Sequence, residues 1–575
     1  MKHGSNLRTF VRFSRKDASW FYLAFLLMAL TLAFDLSRPF LLKLALGDMG
    51  KGDAPALKIH CLIFLVLLIA EYLSRSSYSF LVSQALLKTI NRIRVDVFSR
   101  TLSFKQSFFD KEPVGRLLTR TVNDTESLSE TLRAGVATLA VDLLTVVGVL
   151  GIMFRLELKL APVILLALPL VVVVVRFSGI QLKKNYLKIR KKLAKSNALM
   201  AEGITGVEVL QLFHSEESYF RRFKDTNYEY RQATIWNNVY DISLYAFIDT
   251  VAAVVTAATL YWAFDMQFGW IQVSSVIVYI SLIERVFVPI RDMSNKFTTL
   301  QQAFAAMDRI FYLLRIDRQM NHGHRPVSSG SLDVEYDSVS FSYSSEGKPI
   351  ISDISFKVES GKVLALVGKT GSGKSTIGKL LTRSYEPFEG SIKVGGTDIR
   401  QLDTFSLRQR ISVVHQDFEV FPGTLRDNIT MFQDVVSDQQ IHQVIKLVKA
   451  DSLLQTLPGG LDFRVKENGS NLSSGQLQLI IFARALVFDS PIILMDEATA
   501  SVDSLTEAWI QEAVLAIMAC KTVIIVAHRL STIEHADEIL VLDAGRIVER
   551  GSYTKLLEKK GVFFDLVQSA GNQIS

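Results

Sequence analysis

The residues Gly368-Lys369-Thr370-Gly371-Ser372-Gly373-Lys374-Ser375 have the composition and spacing of a loop that wraps phosphate: a glycine, four residues, then Gly-Lys-Ser. Such glycines let successive backbone N–H groups curl round an oxyanion with no Cβ in the way. A helix opening near Lys374 adds the positive end of its dipole. Lys374 is expected to reach the β- and γ-phosphates and Ser375 to hold a magnesium ion, with Thr376 closing the nucleotide-binding stretch. The apolar run Val363-Leu364-Ala365-Leu366-Val367 just upstream reads as a buried strand, so strand, turn and helix follow in the order that a nucleoside triphosphate site needs.

Two further apolar runs end on groups that act on such a ligand. Ile492-Ile493-Leu494-Met495 leads into Asp496-Glu497, where the first carboxylate can hold magnesium through water, opposite Ser375, and the second can polarise an attacking water. Val523-Ile524-Ile525-Val526-Ala527 leads into His528, which can donate to a γ-phosphate.

The elements that must position these groups follow a long apolar half. The chain has 575 residues, 49% of them apolar, and a formal net charge of +7. That length exceeds one core. The apolar excess lies before residue 300, and the basic residues flank apolar segments, which fits membrane orientation better than a nucleic-acid groove. Two cysteines, Cys61 and Cys520, give no disulfide framework or paired-cysteine metal site. Six segments suit a bilayer-crossing helix: about 18–46, 57–84, 131–154, 158–178, 242–264 and 271–295.

Lys2, Arg8, Arg12, Arg15 and Lys16 precede the first acidic residue, Asp17, which argues for a cytoplasmic N-terminus; a transit peptide is the alternative. An even number of spans returns the chain to the same side. The expected outer loops, Gly47 to Pro55, Arg155 to Lys159 and Asp265 to Trp270, are short. The inner connections are long, basic and helical in pattern, among them Lys183, Lys184, Lys188, Arg190, Lys191, Lys192 and Lys195. The expected plan is a transmembrane domain over 1–314, a linker over 315–331 and a nucleotide-binding domain over 332–575 whose alternating short runs suit an α/β fold.

Between the phosphate loop and Asp496 lies Leu472-Ser473-Ser474-Gly475-Gln476, followed by an amphipathic helix through Ala483-Arg484-Ala485-Leu486. Phosphate loop, Leu-Ser-x-Gly-Gln signature, Asp-Glu pair and histidine in this order resemble the nucleotide-binding domain of an ATP-binding cassette (ABC) protein. With the six spans, the whole chain resembles an ABC exporter half-transporter of multidrug or lipid type. The resemblance implies a membrane α-helical domain of six transmembrane helices with long cytoplasmic extensions, then an α/β P-loop nucleotide-binding domain, with ATP and Mg2+ as cofactors. It also implies that Tyr343 stacks on adenine, that Gln416 reaches magnesium and the attacking water, and that Asp503, in Ser501-Val502-Asp503, crosses a dimer interface. Glu467 lies where exporters carry a glutamate ahead of the signature. Phe108-Phe109-Asp110, Gly115-Arg116 and Asn123-Asp124 resemble a first coupling region, and Glu202-Gly203-Ile204 through Phe213 a second.

In such a protein each ATP lies between the phosphate loop of one chain and the signature of another, so Ser473, Ser474, Gly475 and Gln476 face a partner's nucleotide. A helix beginning after Ser473 would indeed offer its N–H groups to phosphate only across an interface. The implied partners are a second half-transporter, the lipid bilayer and a small amphipathic substrate, with no nucleic acid, in the plasma (inner) membrane of a bacterium. Three positions depart from the family's pattern: Ser474 replaces a glycine, and Leu477 and Leu479 stand where arginines are usual. That impaired signature beside intact Tyr343, Lys374, Asp496, Glu497 and His528 resembles one subunit of a heterodimeric exporter; drift within a homodimer is the alternative. Asp35, Arg38, Asp142, Asp249, Glu284 and Arg285 are the candidates for contact with cargo, Asp35 and Arg38 being able to neutralise each other three residues apart. A lipid flippase, a peptide exporter and an ATP-gated channel or regulator share many of these features.

Overall fold

The computed structural model describes the chain apart from residues 1, 134–136, 157, 266–269, 317–322, 328–329, 344–346, 387–388, 416–418, 449, 452–453, 455–456, 497–503, 528–529 and 572–575. It divides into two compact units: Met1–Ser103 with Glu112–Asp317, and Phe104–Lys111 with Arg318–Ser575.

The first unit is helical. A short α1 (Lys2–Ser14) precedes α2 (Ala18–Lys51) and α3 (Ala54–Leu102), which form a hairpin closed at Gly52 (φ 73°), with the Asp53 carboxylate accepting from the Ala56 amide. This turn is tighter than the expected loop Gly47 to Pro55, because α2 runs on through Lys51. A four-residue helix α4 (Gln106–Phe109), which belongs to the second unit, and α5 (Asp124–Thr131) lead to α6 (Ala137–Leu156), α7 (Ala161–Thr205), α8 (Glu216–Asp265) and α9 (Trp270–Arg315). Among the described residues, four helical stretches, Asn6–Lys51, Ala54–Leu102, Pro162–Thr205 and Glu216–Asp265, are long and apolar enough to cross a membrane. The other two expected spans fall on α6 and α9. A helix of 49 residues, as α3 is, extends about 74 Å at 1.5 Å per residue. The bilayer core needs only about 30 Å, so α3 projects far beyond it, as the charged stretches of the sequence require.

Charges within this unit are paired between helices. Asp35 and Arg38 of α2 lie 3.5 Å apart, but each has a closer partner elsewhere: Arg285 of α9 for Asp35 and Glu71 of α3 for Arg38, both at 2.8 Å. Glu71, buried at 6% exposure, was not among the sequence candidates. Helix α9 carries the cations of a ladder. Arg285 pairs with Asp35, Arg291 with Asp249 of α8 at 3.3 Å, Lys296 with Asp142 of α6, and Arg309 with Asp124 of α5 through two bonds of 2.8 and 2.7 Å. Helix α1 joins in through Asn6, which donates to Asp308 and accepts from Arg315, while the buried Asp17 accepts from Arg92 and Thr89 of α3.

The second unit is α/β. Six strands, β3 (Val363–Gly368), β6 (Ile411–Val414), β9 (Ile492–Asp496), β10 (Thr522–Val526), β11 (Glu538–Asp543) and β12 (Arg546–Gly551), form a sheet in the order β12-β11-β3-β10-β9-β6, parallel except for β11 with β12. A second sheet, antiparallel, has the order β2-β1-β4-β5, from β1 (Val334–Phe341), β2 (Ile351–Val358), β4 (Glu389–Val394) and β5 (Thr397–Asp398), and a short ribbon pairs β7 (Gly423–Thr424) with β8 (Arg464–Val465). The parallel sheet is apolar on both faces, so its strands read as continuous apolar runs. Val363, Ala365, Ile493, Met495, Val523 and Ile525 face one core with helix α11 (Ser474–Val487); Leu364, Leu366, Ile492, Leu494, Ile524 and Val526 face another with helix α10 (Lys374–Leu381).

Because Arg309 grips Asp124 bidentately while half exposed to solvent, its contribution is discounted for screening. A double-mutant cycle of Arg309→Ala with Asp124→Ala, followed by thermal unfolding in detergent, is expected to return a coupling of about 0.5–1 kcal/mol. A coupling indistinguishable from zero would mean that this rung does not hold α9.

Candidate nucleotide site

The phosphate loop leaves β3 at the centre of the parallel sheet and enters α10, with Gly373 at φ 100° as its N-cap. Two glycines are needed for shape. A Cβ on Gly368 would lie 2.1 Å from the Leu542 carbonyl oxygen, and one on Gly373, besides opposing its positive φ, would lie 2.6 Å from Ile351 Cγ2. Lys374 is buried, and its ammonium donates to the carbonyls of Gly368 (2.6 Å) and Lys369 (3.0 Å). Burial pulls its pKa below the usual lysine value, against the raising influence of the Asp496 charge. Ser372 Oγ is buried with no hydrogen-bond partner, and a group of this kind costs free energy until something pairs with it. A phosphate fits this cradle: an unpaired hydroxyl, a buried cation and a helix N-terminus all converge on it.

Asp496 ends β9, and Val526 of β10 pairs in register with both Asp496 and Leu366 of β3. Two strand spacings therefore set Asp496 about 10 Å across the sheet from β3, and Ser375, in the first turn of α10, is exposed. Strands β6, β9 and β10, side by side, end at Val414, Asp496 and Val526. Just downstream in sequence come Gln416, Glu497 and His528, which lie outside the described residues, as does Asp503.

Tyr343 is 41% exposed, and its ring stands edge-on to Phe341 (centroids 4.9 Å) and Tyr385 (5.0 Å). Its hydroxyl lies 3.2 Å from Thr376 Oγ1, so the aromatic is tied to the helix that follows the phosphate loop. That link is one the motif by itself does not announce. Tyr385 was also missed: its hydroxyl donates to Asp110, on the segment Phe104–Lys111 that packs into this unit with Phe104 and Phe108 buried. A cavity of 210 Å³ beside it is lined by Lys105, Ser107, Tyr343, Arg383 and Thr404, among others.

The signature opens α11 in a reciprocal capping box. Gln476 N donates to Ser473 Oγ (3.2 Å), and Ser473 N donates to Gln476 Oε1 (2.9 Å). The pattern Ser-x-x-Gln ahead of an apolar run is the signal for this cap. Ser473 and Ser474 are exposed at the helix N-terminus, and Gly475 is buried. Leu477 and Leu479 face inward: Leu477 packs with Val420 and Val465, and Leu479 joins the core around Ile493 and Ile525. Both therefore act in packing. Ser474 stands alone as the departure on the exposed end. Further along α11, Arg484 donates to the carbonyls of Asn428 and Glu419, both at 2.8 Å, with burial lowering its pKa and the Glu419 charge raising it.

Comparison with known proteins agrees with this geometry. The ABC transporter transmembrane region family matches residues 21–290 and the ABC transporter family residues 351–500. The chain is 34% identical to the probable multidrug resistance ABC transporter ATP-binding/permease protein YheH of Bacillus subtilis, over 84% of this chain and 72% of that one. It is 31% identical to an ATP-dependent lipid A-core flippase of Photorhabdus laumondii, over 93% of this chain and 92% of the relative. The solved structure of a bacterial Atm1-family ABC exporter with ATP bound superposes with a TM-score of 0.80 at 26% identity, covering 96% of this chain and 99% of that one. With these matches added to a phosphate cradle on a two-faced parallel sheet and an N-terminal half built of long apolar helices, the chain belongs to the ABC transporter family, as an ATP-driven exporter.

Proposed function

We propose that this chain is one half of a dimeric exporter of amphipathic small molecules, in which its nucleotide site works with the signature of a different partner chain. The carrying observation is the contrast within one domain: a complete phosphate loop and Asp496, beside a signature whose exposed first turn bears Ser474. A side chain there stands between the helix N-terminus and a phosphate approaching it. This chain would then supply the working cradle, and its own signature would cover a partner's slow site. The limits 1–314, 315–331 and 332–575 for membrane domain, linker and nucleotide-binding domain belong to the same reading, as does a plasma-membrane location with the N-terminus and nucleotide site cytoplasmic.

Magnesium, when bound, would offset the charge of the phosphates; Ser375, Asp496 and Gln416 are the residues proposed to hold it. Lys374 neutralises the phosphates, Glu497 accepts the proton of the attacking water, and His528 donates to the γ-phosphate as charge develops. Asp503 reports across the interface. Alternating access follows when the two nucleotide domains close and open. The pairing of Asp35, Arg38, Asp142, Asp249 and Arg285 supports an amphipathic cargo, since it leaves few charges for the substrate to match. A lipid is the second reading, supported by the flippase relative; vesicle assays comparing labelled lipid with small dyes separate the two.

Lys374→Ala is expected to weaken ATP binding about tenfold or more, the loss of charge-assisted bonds to phosphate; unchanged affinity in a nucleotide-binding titration would count against the cradle. Glu497→Gln should retain ATP binding yet lower turnover by about 10² to 10⁴. Turnover within a few-fold of wild type, with the partner's site silenced, would remove Glu497 from the role of base. Ser474→Gly is expected to leave turnover nearly unchanged in a heterodimer and to raise it in a homodimer. A stable, drug-stimulated homodimer of the chain purified alone would end the heterodimer reading and spare the exporter assignment.

A further inference from the structure

Helix α9 is buried on most of its circumference, packing against α2, α3, α5, α6, α7 and α8. Along its apolar segment Val278, Tyr279, Leu282, Ile283, Val286 and Phe287 are all buried, while Ile277, Glu284 and Val288 are exposed. Spacings of seven and four residues put those three on one stripe. Among the described residues, the other membrane carboxylates Asp35, Glu71, Asp142 and Asp249 each meet a cation. Glu284 meets none.

Its depth is set by helix geometry. Glu284 lies about 21 Å along α9 from Trp270, and Asp35 and Glu71 about 24 and 26 Å from the outer ends of α2 and α3, all within one helical turn of the same level. That level is well inside a hydrocarbon core of about 30 Å. The local ion chain Arg285–Asp35–Arg38–Glu71–Arg75 holds two carboxylates and three guanidinium groups. Glu284 brings that level to electrical balance without touching any of the cations. A carboxylate within the hydrocarbon core is costly against acyl chains and tolerable where it lines a hydrated path. Between residues 274 and 290 the other described residues of α9 are buried or half-buried, so the stripe is the face of this segment open to such a path.

We propose that Glu284 is the substrate-recognition carboxylate of this exporter and selects amphipathic organic cations. The inference rests on the small-molecule export reading above and narrows it to a charge class. The apolar stripe residues Ile277 and Val288 flank the carboxylate for contact with a hydrophobic body. Two turns toward the outer end, Ile277 and Ser274 line a cavity of 680 Å³ with Leu44, Leu46 and Met49, where an organic cation meets Lys43 and Lys51. Asp48, in the same lining, is engaged by His60 at 2.5 Å. The cation is therefore held more weakly there than at Glu284, which favours release outward.

The test uses the full chain in the oligomer that purifies, reconstituted in inside-out proteoliposomes. Three probes of similar size are followed by uptake and by stimulation of ATPase: tetraphenylphosphonium, tetraphenylborate and neutral triphenylphosphine oxide. Glu284→Gln is expected to raise the half-saturating concentration of the phosphonium about tenfold relative to the neutral probe, as the loss of one partly desolvated ion pair does. The borate should be unaffected or favoured, and Glu284→Asp should keep most of the wild-type preference. Equal shifts for all three probes, or none for the phosphonium, would overturn the proposal. So would dissociation of the oligomer in Glu284→Gln, which would make the residue an inter-subunit contact. Transport of the neutral probe with no charge effect sinks the role of Glu284 alone, whereas wild-type failure to move any of the three takes the small-molecule reading down with it.

Discussion

Charge placed where water is scarce is the constraint that organises both halves of this chain. An ion taken from water into a low-dielectric interior is expensive unless a partner or a ligand meets it. In the helical unit the answer is pairing between helices: Arg285 and Lys296 of α9 each meet an aspartate of another helix, and Arg291 and Arg309 continue the ladder with rungs more open to solvent. The helices are thereby held in a particular rotation about their axes, since a turned helix would strand a charge. Apolar packing between transmembrane helices cannot do this alone, because lipid is as apolar as the side chains it would replace.

In the nucleotide-binding unit the same constraint is left open on purpose. Lys374 is buried among carbonyls, and Ser372 keeps an unpaired hydroxyl. Such a site is poorly satisfied by the protein alone and is completed by an anion. The two-faced sheet makes this possible by burying β3, β9 and β10 so completely that their ends are fixed relative to one another. Tyr343 is then tied to α10 through Thr376, so the aromatic and the phosphate cradle move as one piece. The contact of Tyr385 with Asp110 joins a segment from the N-terminal half of the sequence to this same unit.

The sequence by itself determined what depends on near neighbours in the chain. The phosphate loop, the apolar strands running into Asp496 and toward His528, the capping box at Ser473 and the long helices are local patterns, because backbone geometry and periodicity act over a few residues. Tertiary structure alone decided what depends on residues far apart. Asp35 was legible as a membrane carboxylate, but its partner Arg285 lies 250 positions away, and Glu71 drew no notice inside its apolar run. Leu477 and Leu479 read as lost cations until the packing of α11 turned them inward. Which face of α9 is left uncovered, and so the singling out of Glu284 among six candidate charges, was likewise fixed only when the other helices took their places around it, since burial is a property of neighbours that the linear order does not bring together.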